Sequence, residues 1–415
     1  MKKLLTKSLA VCLSVMFIVI TLIAPAAASA INEEFLSDYI VVSEKEYTLV
    51  GGVTEREIVL DNIFGTHQNY LFVLEIAPDN DNVSFVAGYN DGDADEWGKA
   101  TVRDQAHALE ERRDMEIVAS VNGGFHSTKT GEPSGILIME GEIKQKTNGY
   151  PFFGVTKDGT PVIRNGNANT DDIQEAIAGY CYLVQNSKVV ASETGKLAPR
   201  TAVGLRNDGT VVIVVNDGRQ DPYSYGMDND EIAEVMLALG CYVAINLDGG
   251  ASSTYFTQRE GTDDITIRNQ PSNGYERSIA TSLHIYTTAT ATGKFDHIVF
   301  DEPQYDCVLN KSVTLDVYAV DENGFKTDFP DGGYLVVSDE SYGTVKGTKF
   351  TATSNEGTVT VSYVLNGEVL ASTEVTTYSD NFFFATFRKF SDFFNRIRLI
   401  MERLVEEFNE RVFGI

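Results

Sequence analysis

Two stretches of the chain constrain it most. Residues 211–220 read VVIVVNDGRQ and residues 244–254 read AINLDGGASST. In each, a β-branched apolar run ends at an aspartate followed at once by glycine. Such a run is a buried strand, and the glycine lets the backbone turn sharply as the strand leaves its sheet. Asp217 and Asp248 are therefore delivered to a sheet rim, a common way to display a reactive carboxylate. One such turn alone would do no more than close a hairpin. Two copies, each in polar company, point to a site.

The rest of the chain organises around these motifs. Residues 1–30 carry Lys2, Lys3 and Lys7, an apolar stretch from Ser8 to Ala24, and then Ala28-Ser29-Ala30. This is the layout of a signal peptide, and it predicts a secreted or cell-envelope protein; a retained membrane anchor is the competing reading. The formal charge of −27 over 415 residues excludes nucleic acid as a natural partner. Three cysteines follow the leader, and Cys181 with Cys241 is either a disulfide or a pair of buried thiols.

Residues 31–290 alternate strand-like runs (Tyr70 to Ile76, Glu116 to Val121, Gly135 to Met139, Thr210 to Asn216, Val243 to Leu247) with helix-like ones (Val102 to Arg113, Asp230 to Leu239). This predicts an α+β catalytic domain with a mixed sheet. A small polar linker, Thr287 to Gly293, leads into short alternating strands over residues 295–378, the pattern of a small all-β Ig-like sandwich. Residues 381–413 predict a C-terminal amphipathic helix: Phe383, Phe387, Phe390, Phe394, Ile397, Met401, Leu404 and Phe408 recur at spacings of four and three. Its apolar seam would dock on the protein itself, self-associate or lie on a membrane surface.

Six motifs fall in order along the first domain. They are Asn122-Gly123-Gly124-Phe125, Pro133-Ser134-Gly135, Pro199 to Gly204 (PRTAVG), Asn216-Asp217-Gly218-Arg219, Ser224-Tyr225-Gly226 and Asn246-Leu247-Asp248-Gly249-Gly250. Glu276-Arg277 then leads into a last strand, Ala280 to Tyr286. This ordered set resembles the phosphodiester glycosidase family, over about Tyr70 to Tyr286. Ala251 stands where the family often has a third glycine, and Ser278 where it often has proline; neither change removes a charge. The resemblance implies a hydrolase of sugar-1-phosphodiesters, such as an N-acetylglucosamine α-1-phosphodiester, acting on a phosphosugar or glycan substrate.

That reaction passes through an oxocarbenium-like state and expels a phosphomonoester. It needs a carboxylate at the anomeric carbon or to activate water, and cations for the phosphate. Asp217, Asp248 and Glu276 are the candidate carboxylates, and Arg200, Arg219 and Arg277 the candidate phosphate ligands. Each arginine would equally serve as a structural ion-pair partner. Asn122, Gly123, Gly124, Thr201, Gly218, Ser224, Gly226, Asn246, Gly249, Gly250 and Ser252 complete the expected substrate-binding set. Ser253 lacks the G-x-S-x-G setting of a hydrolase nucleophile, and the histidines show no pairing pattern. No cofactor is expected. The loop Asn90 to Asp95 (NDGDAD) spaces aspartates as calcium loops do but lacks their downstream glutamate, so it reads first as a solvated acidic loop. Two other readings stay open: a non-catalytic glycan-binding protein on the same fold, and an envelope assembly protein.

Overall fold

A computed structural model describes residues 30–63, 65–90 and 97–380. The expected leader, the acidic loop beyond Asn90 and the C-terminal amphipathic helix lie outside the described residues. In chain order the first region contains β1 (Tyr39–Leu49), β2 (Val53–Asn62), β3 (Gln68–Ile76), β4 (Val83–Tyr89), helix α1 (Val102–Arg113) and β5 (Glu116–Asn122). Then come β6 (Leu137–Met139), β7 (Glu142–Gln145), β8 (Phe152–Thr156), β9 (Pro161–Arg164), β10 (Ile173–Ala178), β11 (Tyr182–Gln185) and β12 (Lys188–Val189). It closes with β13 (Arg200–Arg206), β14 (Val211–Asn216), helix α2 (Asn229–Ala238), β15 (Cys241–Asn246), β16 (Tyr255–Thr257), β17 (Thr266–Ile267) and β18 (Thr281–Thr287).

The α+β expectation is corrected: the described chain is mostly β, with two α-helices. Nor is the sheet mixed. The eighteen strands form sheets of order β1-β2-β3-β14-β13-β15-β11-β12, β17-β16-β5-β18-β4 and β7-β6-β10-β8-β9, antiparallel throughout. The two helical periodicities do fold as helices, but each joins two strands that run the same way with an antiparallel strand between them, β4 and β5 around β18 and β14 and β15 around β13, so no parallel pair forms.

All three sheets share one core. Alternate residues Val211, Ile213 and Val215 of β14 enter it beside Val203, Ile245, Phe72, Val121, Leu283 and Phe153. Helix α1 buries Val102, Gln105, Ala106 and Leu109, one stripe at helical spacing, against β4, β5 and β18. Thr101 accepts a hydrogen bond from the Asp104 N–H at its start, and Asp114 ends it in a left-handed conformation. Helix α2 opens with a reciprocal cap between Asp228 and Glu231 and packs on β11, β13 and β15.

One polar network crosses this interior. Gln105 uses its amide N–H groups on the Ala100 and Ile279 carbonyls, so its oxygen accepts from the Ser282 hydroxyl at 2.6 Å. Ser282 must then accept from His284 Nε2 (2.6 Å), which leaves Nδ1 to accept from Ser120 (2.7 Å). The imidazole is wholly buried, and burial pushes its pKa down to about 3. Between the ordinary histidine range and that value, the unfolded chain takes up a proton that the folded one refuses. Stability held above pH 6.5 is therefore lost as pH falls towards 3, at about 1.4 kcal/mol per pH unit. The stability difference between wild type and His284→Gln, from urea titrations at several pH values, should carry this slope; parallel pH profiles would show that the ring stays neutral for another reason.

Residues 297–378 form three small sheets. His297–Phe300, Val317–Val320 and Lys326–Thr327 make one; Ser312–Thr314, Gly343–Lys346 and Lys349–Ala352 another. The third joins Gln304–Val308, Tyr334–Val337, Gly357–Leu365 and Glu368–Tyr378, and its pairing of Gln304–Val308 with Glu374–Tyr378 is parallel. Leu315, Phe350, Val361 and Val375 form one apolar cluster there, and Ile298, Val317 and Ala319 another.

A buried ion-pair cluster ties this region to the first. Arg259 bonds Glu55 at 2.7 Å, also Glu57, and Glu302 at 3.4 Å, with its guanidinium 3.2 Å from the Tyr47 ring centroid. Glu302 also binds Lys45 at 2.8 Å and Tyr47 Oη at 3.0 Å. The carboxylates hold Arg259 firmly protonated although it is 4% exposed. Cys181, Cys241 and Cys307 are free thiols. Cys181 meets the Asn246 amide oxygen, whereas the Cys241 sulfur lies against Gly204.

Candidate active site

β13 lies between β14 and β15, with Arg200 opposite Asn216 and Ala202 opposite Asn246. β14 and β15 therefore run the same way, and Asp217 and Asp248 leave the sheet at the same rim. Two interstrand spacings separate the strands, about 10 Å.

The two carboxylates meet different surroundings. Asp217 is fully buried: Oδ1 accepts from Asn269 Nδ2 (2.8 Å), and Oδ2 accepts from the Tyr223 hydroxyl (3.0 Å) and the Gln270 N–H (2.7 Å). Burial pushes its pKa up to about 6, against those three hydrogen bonds. Its contacts fix the segment at Asn269, which also binds the Tyr255 N–H and the Ser253 carbonyl.

Asp248 is the more open of the two, its side chain 14% exposed. The Gly249 N–H binds Oδ1 at 2.9 Å, and Oδ2 lies 3.9 Å from His126 Nδ1. Burial raises its pKa, and the Ser252 hydroxyl, the Gly249 N–H and the charge of Arg277 pull it back. His126 is pushed the other way, by burial and by the charges of Arg277 and Lys99. Its side chain is 2% exposed, and neither ring nitrogen has a hydrogen-bond partner. A buried imidazole without partners is costly, and here it borders the Asp248 carboxylate. The residue was missed at the sequence level. It directly follows Asn122-Gly123-Gly124-Phe125, yet its partner comes from a distant strand.

The first glycine motif builds the wall behind Asp248. Asn122 donates to the Asp248 carbonyl (2.6 Å), while its own oxygen accepts from Thr201 Oγ1 (2.8 Å) and the Thr254 N–H (3.2 Å). The Gly123 carbonyl accepts from the Asp248 N–H at 3.0 Å. A side chain at Gly124 would stand 2.2 Å from the Ala178 carbonyl oxygen, so only glycine fits there.

The three arginines part company. Arg200 donates to the Met227 and Lys196 carbonyls at 2.8 Å each and lies 3.7 Å from Asp228, a structural arrangement. Arg277 is half-buried and bonds Ser252 Oγ at 3.3 Å. Arg219 is exposed, and no carboxylate of the described residues lies within ion-pairing distance. Its backbone is left-handed, with φ 59°, and its guanidinium lies against Gly250, itself left-handed at φ 65°.

Other expected site residues act from behind. Glu276 accepts from the Arg103 N–H at 3.1 Å and so caps α1. The Ser224 hydroxyl donates to the Asp217 carbonyl (2.6 Å), and the Gly226 N–H binds Asn69. Gly218 packs against Gly226, and Gly249 against the Pro199 carbonyl. Asn246 receives the Cys181 N–H. Ser253 is buried beside Thr201. Among the described residues, no group of three or more His, Cys, Asp or Glu side chains is placed to hold a metal ion.

Residues 115–286, which contain this rim, match the profile of the Phosphodiester glycosidase family. The domain belongs to that family. N-Acetylglucosamine-1-phosphodiester α-N-acetylglucosaminidase of Mus musculus is 27% identical to the chain over 161 residues, covering 32% of this chain and 30% of the mouse protein. A prophage-derived uncharacterized protein of Bacillus subtilis is 31% identical over 192 residues, covering 42% of this chain and 28% of its own. The chain thus spans under a third of the length of these relatives. The catalytic domain of the zebrafish N-acetylglucosamine-1-phosphodiester α-N-acetylglucosaminidase superposes with a TM-score of 0.44 at 21% identity, over 60% of this chain and 88% of that one. In the phosphodiester glycosidase domain, the strand-end motifs hold Asp248, His126, Arg219 and Arg277 around one rim.

Proposed function

We propose that the protein is a glycosidase that hydrolyses a sugar-1-phosphodiester. The observation that supports this best is Asp248, a partly open carboxylate flanked by an unpartnered imidazole and bordered by two arginines that have no carboxylate of the described residues within ion-pairing distance. Asp248 faces the anomeric carbon and stabilises the positive charge that grows there as the bond to the phosphate oxygen breaks. His126, held neutral, takes the proton of the incoming water. The oxygen of that water joins the anomeric carbon, and the phosphomonoester leaves with the bonding pair. Arg219 and Arg277 hold the phosphate, and Asp217 positions the segment that carries Arg277. Arg200 and Glu276 brace the rim without touching substrate.

N-Acetylglucosamine is the proposed sugar, because relatives named for that substrate share the domain. We place the protein outside the cytoplasm, on the leader layout of residues 1–30, and read residues 295–378 as an Ig-like accessory domain, in keeping with their small sheets and apolar clusters.

Incubating the full chain with UDP-N-acetylglucosamine and model sugar-1-phosphodiesters, with products identified by mass spectrometry, tests the reaction. Free sugar and phosphomonoester in equal amounts are expected; no product from any phosphodiester would overturn the reading. Arg219→Ala should lower the specificity constant for a phosphodiester about tenfold more than for an uncharged aryl glycoside of the same sugar, since only the former loses a charge-assisted contact. Equal losses on both would make Arg219 structural.

A further inference from the structure

An aromatic cluster is tied to the strand end that carries Asp248. The Phe125 and Tyr180 ring centroids are 5.3 Å apart, with planes at 52°; those of Tyr150 and Tyr180 are 5.0 Å apart, at 65°. Tyr180 is 46% exposed, a large aromatic surface left open to solvent. The Tyr150 and Tyr180 hydroxyls make no hydrogen bond with the described residues.

Backbone contacts fix these rings relative to the carboxylate. The Tyr180 N–H binds the Asn246 carbonyl at 3.0 Å, two residues before Asp248. The Gly179 N–H binds the Pro151 carbonyl (2.8 Å), tying Tyr150 to the same place. The Ser134 N–H holds the Phe125 carbonyl at 2.7 Å, and Gly123, two residues before Phe125, receives the Asp248 N–H. Asp248 thus has two unlike groups of neighbours. Arg219 against Gly250 and Arg277 against Ser252 form the cationic one, and the three rings form the other.

We infer that Phe125, Tyr150 and Tyr180 form a platform for a pyranose ring, the sugar whose anomeric carbon reaches Asp248; the inference rests on the hydrolase reading for the orientation of that sugar. A pyranose presents a face of C–H bonds, which an aromatic π face attracts, and a rim of hydroxyls, which phenol oxygens at the platform's edge can meet. Three rings offer far less area than a stable contact between two copies of the chain requires. A sugar-1-phosphodiester would then lie with its phosphate on the arginines and its ring on the aromatics, and its scissile bond over Asp248.

The test reads binding without turnover. Saturation-transfer NMR on the full chain, with irradiation of aromatic protons, would use the methyl α-pyranosides of N-acetylglucosamine, glucose, galactose and mannose as probes. At least one should receive saturation on its ring protons. The effect should fall roughly fivefold in Tyr180→Ala and in Phe125→Ala and persist in Tyr180→Phe, at an unchanged melting temperature. No transfer to any of the four sugars, or equal transfer to wild type and both alanine variants, would overturn the platform. So would a loss of oligomer size in light scattering on Tyr180→Ala, which would make the cluster a contact between copies. Sugar binding with no phosphodiester turnover would leave the platform standing and remove the hydrolase reading; turnover indifferent to Phe125 and Tyr180 would do the reverse.

Discussion

Replacing Asp248 by asparagine is expected to lower the catalytic rate on a sugar-1-phosphodiester by at least ~10²-fold, the scale of a lost acid–base or charge-stabilising group. The substitution keeps shape. The Oδ1 that accepts the Gly249 N–H has an amide equivalent, and no strong donor is left facing an N–H group. The melting temperature should therefore move by only a few degrees. Asp217→Asn offers the contrast, because its Oδ2 accepts from both Tyr223 and the Gln270 N–H, and the backbone donor cannot turn away from a new amide. That variant should lose stability along with activity. Steady-state rates paired with thermal melts separate the two cases, and near-normal turnover in Asp248→Asn would take this carboxylate out of the chemistry.

Arg259→Leu is expected to cost the fold about 3–5 kcal/mol, the range for breaking a buried ion pair from one side. The deleted guanidinium leaves Glu55, which is wholly buried, facing Glu57 with no ion-pair partner and only the charge of Arg268 acting on it, and removes the group stacked on Tyr47. Glu302, from the second region, loses one of its partners as well. The double variant Arg259→Leu with Glu55→Gln should recover much of the loss, because the uncompensated charge is then gone. Denaturant titration measures both. A loss below about 1 kcal/mol in the single variant would mean that water reaches Glu55 and the cluster is not dry.

Much of the candidate site is legible in the sequence, because the motifs carry their own geometry. The strands before Asp217 and Asp248 are apolar up to the asparagine that ends each, as strands covered on both faces must be, and the glycines beyond mark the rim. The same logic failed for β1 and β2. Their middle stretches read Ser43-Glu44-Lys45-Glu46 and Glu55-Arg56-Glu57, too polar to stand out as strands, yet Arg56 pairs across the sheet with Glu44 and Glu46, and Glu55 is buried against Arg259. With those strands unread, the two helices weighed too heavily and suggested an α+β class. The direction of pairing is absent from any local pattern, which is why a mixed sheet was expected where hairpins and antiparallel crossings occur. Charge roles were hidden for the same reason. Arg200 and Glu276 have the residue types a phosphodiester site needs, but their partners, the Met227 carbonyl and the Arg103 N–H, are set by tertiary contacts. His126 is the converse, invisible until the ends of β5 and β15, which lie in different sheets, meet through Asn122, Gly123 and Asp248.

Arg219 has a consequence for how this protein could be altered. A left-handed backbone suits glycine and strains an arginine by about 1 kcal/mol, so the position trades folding stability for the cation it presents. Arg219→Gly should therefore melt higher than the wild type while handling phosphodiesters worse, a combination that no cavity or lost contact would produce. A screen for heat tolerance alone would select against this arginine, and only one that also demands turnover of an anionic substrate would keep it.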